Sequence, residues 1–390
     1  MSAPVDALFT DPHGALAGLR AHAPAHRLAL PDGSPVWLVT RYHDVRTLLA
    51  DPRLSLNKRT GSGGWKGFSL PPTLDANLLN MDSPDHTRIR RLVAQAFTAR
   101  RIEGMRGRID AVAGALLDRL PATDPVDLVA GYAGPLPVTV IGDLFGVPDD
   151  RRTQLRSWTE TMIRPPADDP RAAAGAIGAI EGFLIDLVRS RRTEPGNDLL
   201  TAMVAARDAA DRLTEDELTS LAFLILFAGY ENSVHLIGTC LFHLLSRPDL
   251  ADRVRREPGL AGRAVEETLR FDPPATLAIR RFAAVDLPIG DTVIAAGDTV
   301  LLGIASANRD PEVFLDPDEF RLDRSEIPHV SLGHGPHYCL GASLGRLEAE
   351  VAVAAFLRRF PGSTLAVPAD QVPWQPSFRA RALRALPVRR

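Results

Sequence analysis

The chain has 390 residues, of which 45% are apolar and 24% are charged, and its net charge is −3 at pH 7. A chain of this length can bury a large core, and a near-neutral charge gives no reason to expect binding to nucleic acid or to a membrane surface. Only two cysteines are present, which suits a reducing cytoplasm rather than a disulfide framework. The start, MSAPVDALFT, has no signal-peptide pattern. The longest strongly apolar run, Leu221–Gly229, is too short to span a bilayer, so a soluble cytoplasmic protein is expected.

The first eighty residues are rich in chain-breaking residues. Residues 1–34 are punctuated by proline and glycine and are expected to wrap the surface. Pro35–Thr40 is predicted to be a short strand and Tyr42–Ala50 a short helix. Residues 55–80, which include Trp65, contain several glycines and prolines and are predicted to form a long loop. Long loops in compact domains are often functional.

The next stretch, Met81–Ile102, is predicted to be helical. Ser83 before Pro84 is typical of an N-cap followed by a first-turn proline. His86 and Arg90 lie four residues apart, so they share one face of the helix. On the residues alone, a solvated basic face is the simpler interpretation of this pair.

Seven arginines lie between Arg88 and Arg108. A basic patch on a slightly acidic protein predicts an acidic partner, whose approach would depend on salt. The hypothesis is that the docking residues are Arg88, Arg91, Arg100 and Arg101.

The middle of the chain reads as helices separated by Pro, Gly and Asp clusters. A mobile turn between two of them is expected within residues 160–180. The predicted helices are Ile109–Leu120, Pro137–Phe145, Thr153–Ile163 and Ala172–Arg191.

Leu213–Leu245 is predicted to be the longest helix. Thr214 and Glu217 form a capping-box pattern at its start. Apolar residues on nearly every side indicate a central helix. In its middle lies AGYENS, Ala228–Ser233, where Glu231 is predicted to be a buried acid and therefore needs a reason to be there.

The last third begins with a helical pattern in which Glu267 and Arg270 share one face. Short strands follow, punctuated by Gly and Asp, and two more are predicted near the C-terminus. The predicted strands are Leu277–Phe282, Leu287–Ile289, Thr292–Ile294, Thr299–Gly303, Thr364–Val367 and Ala382–Val388.

Ser331–Gly345 (SLGHGPHYCLGASLG) places Cys339 in a glycine-rich loop just before a helix. Glycines let the backbone approach a ligand closely. Loop amides and the positive end of the helix dipole are expected to favour the thiolate, which suits a metal. Two other interpretations stay open on the residues alone: an inert buried cysteine, and a zinc site formed by Cys339 with His329, His334 and His337.

The segment from Leu332 to Gly341 resembles the haem-binding loop of the cytochromes P450, F-G-x-G-x-H-x-C-x-G, with Leu332 in place of Phe. The resemblance implies that Cys339 is the axial thiolate of haem b iron, which favours O–O cleavage. It also implies that His337 contacts a haem propionate, and that the same role belongs to His86, Arg90 and Arg281 in matching segments. The E-x-x-R pattern of Glu267 and Arg270 resembles the structural ion pair of that family.

AGYENS resembles the P450 oxygen-activating sequence A-G-x-[ED]-T-T. The resemblance implies that Ala228 and Gly229 lie against the haem, with Gly229 leaving room for dioxygen, and that Glu231 is the acid. Asn232 replaces the usual Thr, and Ser233 follows it; these two and Glu231 are the catalytic candidates. An amide cannot relay protons as simply as a hydroxyl. An ordered water, a substrate hydroxyl, or a reaction that needs fewer protons would each accommodate Asn232.

The resemblance covers the whole chain and overrides the division into two or three domains that length suggests. It implies one mainly helical P450 domain, residues 1–390, with small β-sheets and with substrate bound between haem and the 55–80 loop. The implied activity is hydroxylation or epoxidation of a mostly apolar small molecule in secondary or antibiotic metabolism. The implied partner is a ferredoxin with its NAD(P)H-dependent reductase. Two alternatives stay open: an oxidase that couples aryl groups or closes rings without inserting oxygen, and a non-catalytic haem-binding protein.

Overall fold

The structure is a computed structural model that describes residues 6–390 except 63–69, 95–96, 164, 167, 170, 209–212 and 258. The aromatic part of the predicted 55–80 loop, including Trp65, lies outside the described residues, as does part of the predicted 160–180 turn. The architecture is mainly α with small β-sheets, as the sequence predicts.

Sixteen α-helices lie in the described part of the chain. Six of them begin and end within four residues of predicted bounds, because Pro, Gly and Asp interrupt each apolar pattern. The predicted helices concerned are Tyr42–Ala50, Ile109–Leu120, Pro137–Phe145, Thr153–Ile163, Ala172–Arg191 and Leu213–Leu245. The helices are α1 (Asp6–Thr10), α2 (Pro12–His22), α3 (Tyr42–Ala50), α4 (Pro72–Asp75), α5 (Asp85–Ala94), α6 (Ala99–Glu103), α7 (Arg106–Asp118), α8 (Pro135–Phe145), α9 (Asp149–Ile163), α10 (Ala172–Thr193), α11 (Leu199–Asp208), α12 (Glu215–Leu245), α13 (Pro248–Arg256), α14 (Leu260–Phe271), α15 (Ile304–Ala307) and α16 (Ala342–Arg359).

The strands form three small sheets in the described residues, with the orders β1-β2-β8-β5-β3, β4-β10-β9 and β6-β7. The strands are β1 (Ala25–Ala29), β2 (Pro35–Val39), β3 (Leu54–Ser55), β4 (Val126–Asp127), β5 (Arg281–Ala283), β6 (Leu287–Ile289), β7 (Thr292–Ile294), β8 (Thr299–Leu302), β9 (Thr364–Leu365) and β10 (Pro387–Arg389).

Helix α12 forms the centre of the largest core cluster. Its N-terminus has the predicted capping box, in which Thr214 and Glu217 bond each other's backbone N–H groups. It packs against α4, α8, α10, α14 and α16. By length and composition alone this helix could cross a membrane, but 61% of its most apolar stretch is buried inside the molecule. That enclosure explains why it is apolar on every side.

The N-terminal region differs from the prediction, because residues 6–29 form two helices and a strand rather than an irregular wrap. A buried carboxylate fixes α2 to the rest of the chain. Asp272 accepts hydrogen bonds from His13 at 2.9 Å, His243 at 3.2 Å and Arg381 at 3.0 Å. A single acid at the end of α14 thus joins α2, α12 and the C-terminal segment, a long-range pairing that local sequence does not reveal.

The predicted helix over Met81–Ile102 is also different, since it is divided into α5 and α6. Helix α5 begins at Asp85, and the Ser83 hydroxyl bonds the Thr87 hydroxyl at 2.8 Å rather than a backbone N–H. Ser83 is therefore not the side-chain cap that the sequence suggests.

Glu267 and Arg270 form the predicted ion pair, with 2.7 Å between Arg270 Nη2 and Glu267 Oε1 and with both side chains fully buried. The structure adds a third member, Arg324, whose Nε donates to Glu267 at 3.0 Å. The two guanidinium groups also donate to backbone carbonyls of residues 308–319. Burial of these charges is tolerated because every group has a partner.

Removal of the Glu267 charge tests this network. In the Glu267→Gln variant two buried guanidinium groups lose their counter-ion, so we expect a loss of about 3–5 kcal/mol in the free energy of unfolding. Urea unfolding followed by circular dichroism measures it. The control is Asp323→Asn, which removes a surface carboxylate, 59% exposed, from its pair with Arg321 and should change little. Equal effects of the two variants would contradict the structural role of the buried network.

Candidate active site

The cysteine loop is built by two glycines in the left-handed region. Gly333 has φ +79° and Gly335 has φ +71°, conformations that other residues adopt at a cost. A Cβ on Gly335 would lie 2.6 Å from Ala50 Cβ, so the loop contacts α3 closely. The Cys339 N–H donates to the Leu332 carbonyl at 2.7 Å, which closes the loop just before α16 begins.

The expected low pKa of Cys339 is not what the structure gives. Desolvation raises the pKa of this thiol above its ordinary value, and the Gly341 N–H and the charges of Arg90 and Arg346 offset it only in part. The residue as a whole is exposed, so this effect of burial on the thiol pKa is a property of the protein without a bound group. A bound metal must therefore displace the thiol proton. The other cysteine, Cys240, is buried within α12, where burial raises its pKa to about 12.

Two histidines and an arginine meet beside this loop. The rings of His86 on α5 and His337 in the loop have centroids 4.0 Å apart. Arg90, one turn after His86, donates to the Tyr338 carbonyl. Burial lowers the pKa of His86, and burial with the charges of His86 and Arg281 lowers that of His337 to about 3. Both imidazoles are therefore neutral at pH 7.

Arg281 joins this group from β5. Its side chain is buried and donates to the Leu49 carbonyl at 3.1 Å, and burial lowers its pKa to about 10. Arg280, which immediately precedes β5, turns the other way, toward the Leu79 carbonyl and Asn80.

The haem expected from the sequence fits this arrangement. In the described part of the chain, the buried His86 Nε2 has no hydrogen-bond partner. We call the set His86, Arg90, Arg281 and His337 the cradle. These residues come from three segments and bring hydrogen-bond donors and positive charge together, and one imidazole nitrogen still lacks a partner. Two carboxylates of a bound group would pair with these donors and balance the charge.

The zinc alternative lacks a site in the described residues, where no group of three or more His, Cys, Asp and Glu side chains is close enough to hold a metal ion. His329 is instead bonded to Glu266 at 3.2 Å. His329 is therefore near Cys339 in the sequence, but its side chain is bonded elsewhere.

The AGYENS segment distributes its residues over different faces of α12, so the three catalytic candidates do not converge. A Cβ on Gly229 would lie 2.8 Å from Ile141 Cδ1, which shows that this glycine serves close packing against α8. Glu231 is only partly buried, contrary to the expectation, and Asn232 is exposed. The Asn232 amide donates to the Ala228 carbonyl at 3.1 Å.

Ser233 faces α16, where its Oγ would lie 3.9 Å from a Cβ on Gly345, a contact that the sequence pattern did not predict. The Ser233 hydroxyl lowers the pKa of the Glu348 carboxyl on α16, but burial has the larger effect and raises that pKa to about 8. In the described residues Glu348 Oε1 has no hydrogen-bond partner. Glu348 is 1% exposed and therefore holds a proton at pH 7. The available signal was an acid on the apolar face of α16, between Leu344, Leu347 and Val351.

A family model described as Cytochrome P450 matches residues 171–261 and 259–377. Cytochrome P450 107B1 of Saccharopolyspora erythraea is 44% identical, with 98% of this chain and 96% of that protein aligned. The chain belongs to the cytochrome P450 family. The monooxygenase PikC of Streptomyces venezuelae is 42% identical over 97% of this chain and 91% of its own. The P450 monooxygenase TamI, solved with tirandamycin C bound, superposes with a TM-score of 0.91 at 44% identity and covers 98% of both chains.

As a P450, the chain is a haem-thiolate monooxygenase that carries haem b and acts on a small molecule with electrons from a redox partner. The fold is the P450 fold. When bound, haem supplies the activation of dioxygen, and the protein supplies binding, orientation and control of protons.

Glu348 gives this P450 a specific dependence of stability on pH. A carboxyl that titrates near its ordinary value of 4.5 when unfolded, but near about 8 when folded, binds more protons in the folded state between those values. Stability from this group is therefore present below pH 4.5 and falls as pH rises toward 8. The Glu348→Gln variant should lose this part of the alkaline decline.

Urea unfolding of the wild type and Glu348→Gln at a series of pH values checks this expectation. Glu350→Gln is the control, because Glu350 lies on the same helix but is 35% exposed and paired with Arg106. Parallel pH profiles for all three proteins would show that Glu348 is ionised in the native state.

Proposed function

We propose that this P450 hydroxylates or epoxidises a mostly apolar small molecule in the tailoring of a secondary metabolite, with Cys339 as the axial ligand of haem. The observation that carries the proposal is the cradle, which gathers basic and neutral donors beside the one cysteine that lies in an exposed loop. Cys240 is fully enclosed in the core, which leaves Cys339 as the candidate. The binding of tirandamycin C by TamI supports a secondary metabolite as the substrate class.

In this proposal the cradle orients the cofactor. Arg281 and Arg90 provide charge, and the neutral His86 and His337 provide N–H donors to the propionates. The glycines of the loop hold Cys339 in one position, and the Leu332 carbonyl fixes its backbone. The whole chain, residues 1–390, acts as one domain around this site, and its location is the cytoplasm.

Proton control is the role proposed for the residues of α12. Glu231 is partly exposed and thus able to exchange protons with solvent, while Ser233 stays beside the protonated carboxyl of Glu348. Asn232 lies between them in sequence, and its amide N–H is committed to the Ala228 carbonyl. The second N–H of this amide and its oxygen can still order a water or a substrate hydroxyl.

The Asn232→Thr variant tests that role. A hydroxyl at this position adds a proton relay, so we expect a higher ratio of product formed to NAD(P)H consumed. Asn232→Val is the matched control, because valine has the shape of threonine without its hydroxyl. Identical ratios for the two variants would exclude position 232 from proton delivery.

A second candidate is an oxidase that couples aryl groups or closes a ring without inserting oxygen. The absence of a hydroxyl at position 232 favours it, since such a reaction needs fewer protons delivered. Turnover under ¹⁸O₂ separates the two: label in the product supports the monooxygenase, and an oxidised product without label supports the oxidase.

The redox partner proposed is a ferredoxin with its NAD(P)H-dependent reductase, docked on the side of Cys339. Arg91 and Arg100 are exposed and remain candidate contacts, together with Arg101. Arg88 is different, because it pairs with Glu217 at the start of α12 and contributes to that capping site.

Charge neutralisation tests the docking surface. The Arg91→Gln/Arg100→Gln double variant should slow reduction of the haem by ferredoxin at low salt and approach the wild-type rate at high salt, since screening removes steering. Stopped-flow reduction measures it. Arg189→Gln, an exposed arginine on α10, is the control. An unchanged rate in the double variant at low salt would exclude these arginines from docking.

A further inference from the structure

Asp82, which precedes α5, joins two parts of the haem site that are distant in sequence. Its Oδ2 accepts a hydrogen bond from Ser55 Oγ at 2.5 Å, and its Oδ1 accepts one from the Leu56 N–H at 2.9 Å. Its backbone carbonyl accepts from the His86 N–H at 3.0 Å. One residue therefore bonds both the end of β3 and the first turn of α5.

The register of the five-stranded sheet extends this connection to Arg281. Strand β3 pairs with β5, with Ser55 opposite Phe282, the residue that follows Arg281. The side chain of Asp82 thus holds the sheet that carries Arg281, while its carbonyl holds the helix that carries His86 and Arg90. The two halves of the cradle meet at this aspartate.

The charge of Asp82 also acts on the cradle. It raises the pKa values of His86, Arg281 and His337, in each case against a larger lowering by burial. The same carboxylate therefore offsets part of the positive potential at three of the four cradle residues. Nothing in the sequence pattern of His86 and Arg90 pointed to an acid in this place.

We propose that Asp82 is a permanent counter-charge of the propionate cradle and a positioning residue that ties its two halves together. The proposal rests on the haem site proposed above. A fixed negative charge near haem disfavours the gain of an electron by the iron, because the ferrous state carries one positive charge less than the ferric state. Asp82 accordingly lowers the reduction potential, and its tether to Ser55 slows the loss of haem.

Two variants separate the charge from the tether. In Asp82→Asn the amide oxygen can accept from the Leu56 N–H and the amide nitrogen can donate to Ser55 Oγ, so the shape stays while the charge is removed. In Ser55→Ala the charge stays while one bond to it is lost. Asp85→Asn is the matched control, because Asp85 lies three residues further on and is 68% exposed.

The measurements are the ferric/ferrous midpoint potential of the purified holoprotein and the rate of haem transfer to apomyoglobin. We expect Asp82→Asn to shift the midpoint potential in the positive direction, Asp85→Asn to leave it unchanged, and Ser55→Ala to accelerate haem transfer with little change in potential. A merely structural role of Asp82 would not move the potential in an isosteric variant that binds haem normally.

Equal potentials for Asp82→Asn and Asp85→Asn would overturn the counter-charge, and an unchanged transfer rate in Ser55→Ala would overturn the tether. If Asp82→Asn does not fold, Ser55→Ala against Asp85→Asn still decides the tether, and Asp82→Ser, which also removes the charge, decides the counter-charge. Its potential is expected above that of the wild type, and a wild-type potential would overturn the counter-charge. A wild type that binds haem without a thiolate spectrum would refute the proposed function instead, whatever the variants do.

Discussion

The buried ion network centred on Glu267 is the constraint on which the site depends. Arg270 and Arg324 neutralise it, and their remaining N–H groups hold the carbonyls of residues 308–319 in place. Asn308, whose carbonyl is one of these acceptors, connects the network to the cysteine loop. Its side chain accepts a hydrogen bond from the Val330 N–H at 2.8 Å and donates one to Ser331 Oγ at 2.6 Å. The cysteine loop begins at that residue. A long segment without regular structure is thus fixed by buried hydrogen bonds, which explains how Cys339 keeps one position.

Helix α12 performs a different task on each of its faces. Gly229 allows close packing against α8. The Tyr230 hydroxyl donates a hydrogen bond to Glu160 Oε1 of α9 at 3.2 Å. Ser233 meets the protonated Glu348 of α16, and Asn232 is exposed. One stretch of the helix therefore combines core packing with contacts to three neighbouring helices.

The sequence predicted the elements and motifs that depend on residues close together in the chain, and it did not predict the contacts between distant segments. Apolar periodicity and chain breakers predicted α3, α10 and α12 closely, because these elements are determined by neighbours in the chain. The motif around Cys339 likewise predicted the position of the loop. Arg324, Asp82 and Glu348 were missed, because each acts on residues that folding alone brings near. A loop amide does lower the pKa of the Cys339 thiol, as predicted, but the desolvation that outweighs it was not predicted, because it depends on how the whole chain folds around the thiol.

The central claim is that Cys339 is the thiolate ligand of haem in this P450. The most direct test is the absorption spectrum of the reduced carbon monoxide complex of the wild type, Cys339→Ser and Cys240→Ser. The account predicts a thiolate-type Soret band in the wild type and in Cys240→Ser, and its complete loss in Cys339→Ser. A thiolate band that survives in Cys339→Ser would contradict the assignment of the ligand and, with it, the arrangement of the cradle around that loop.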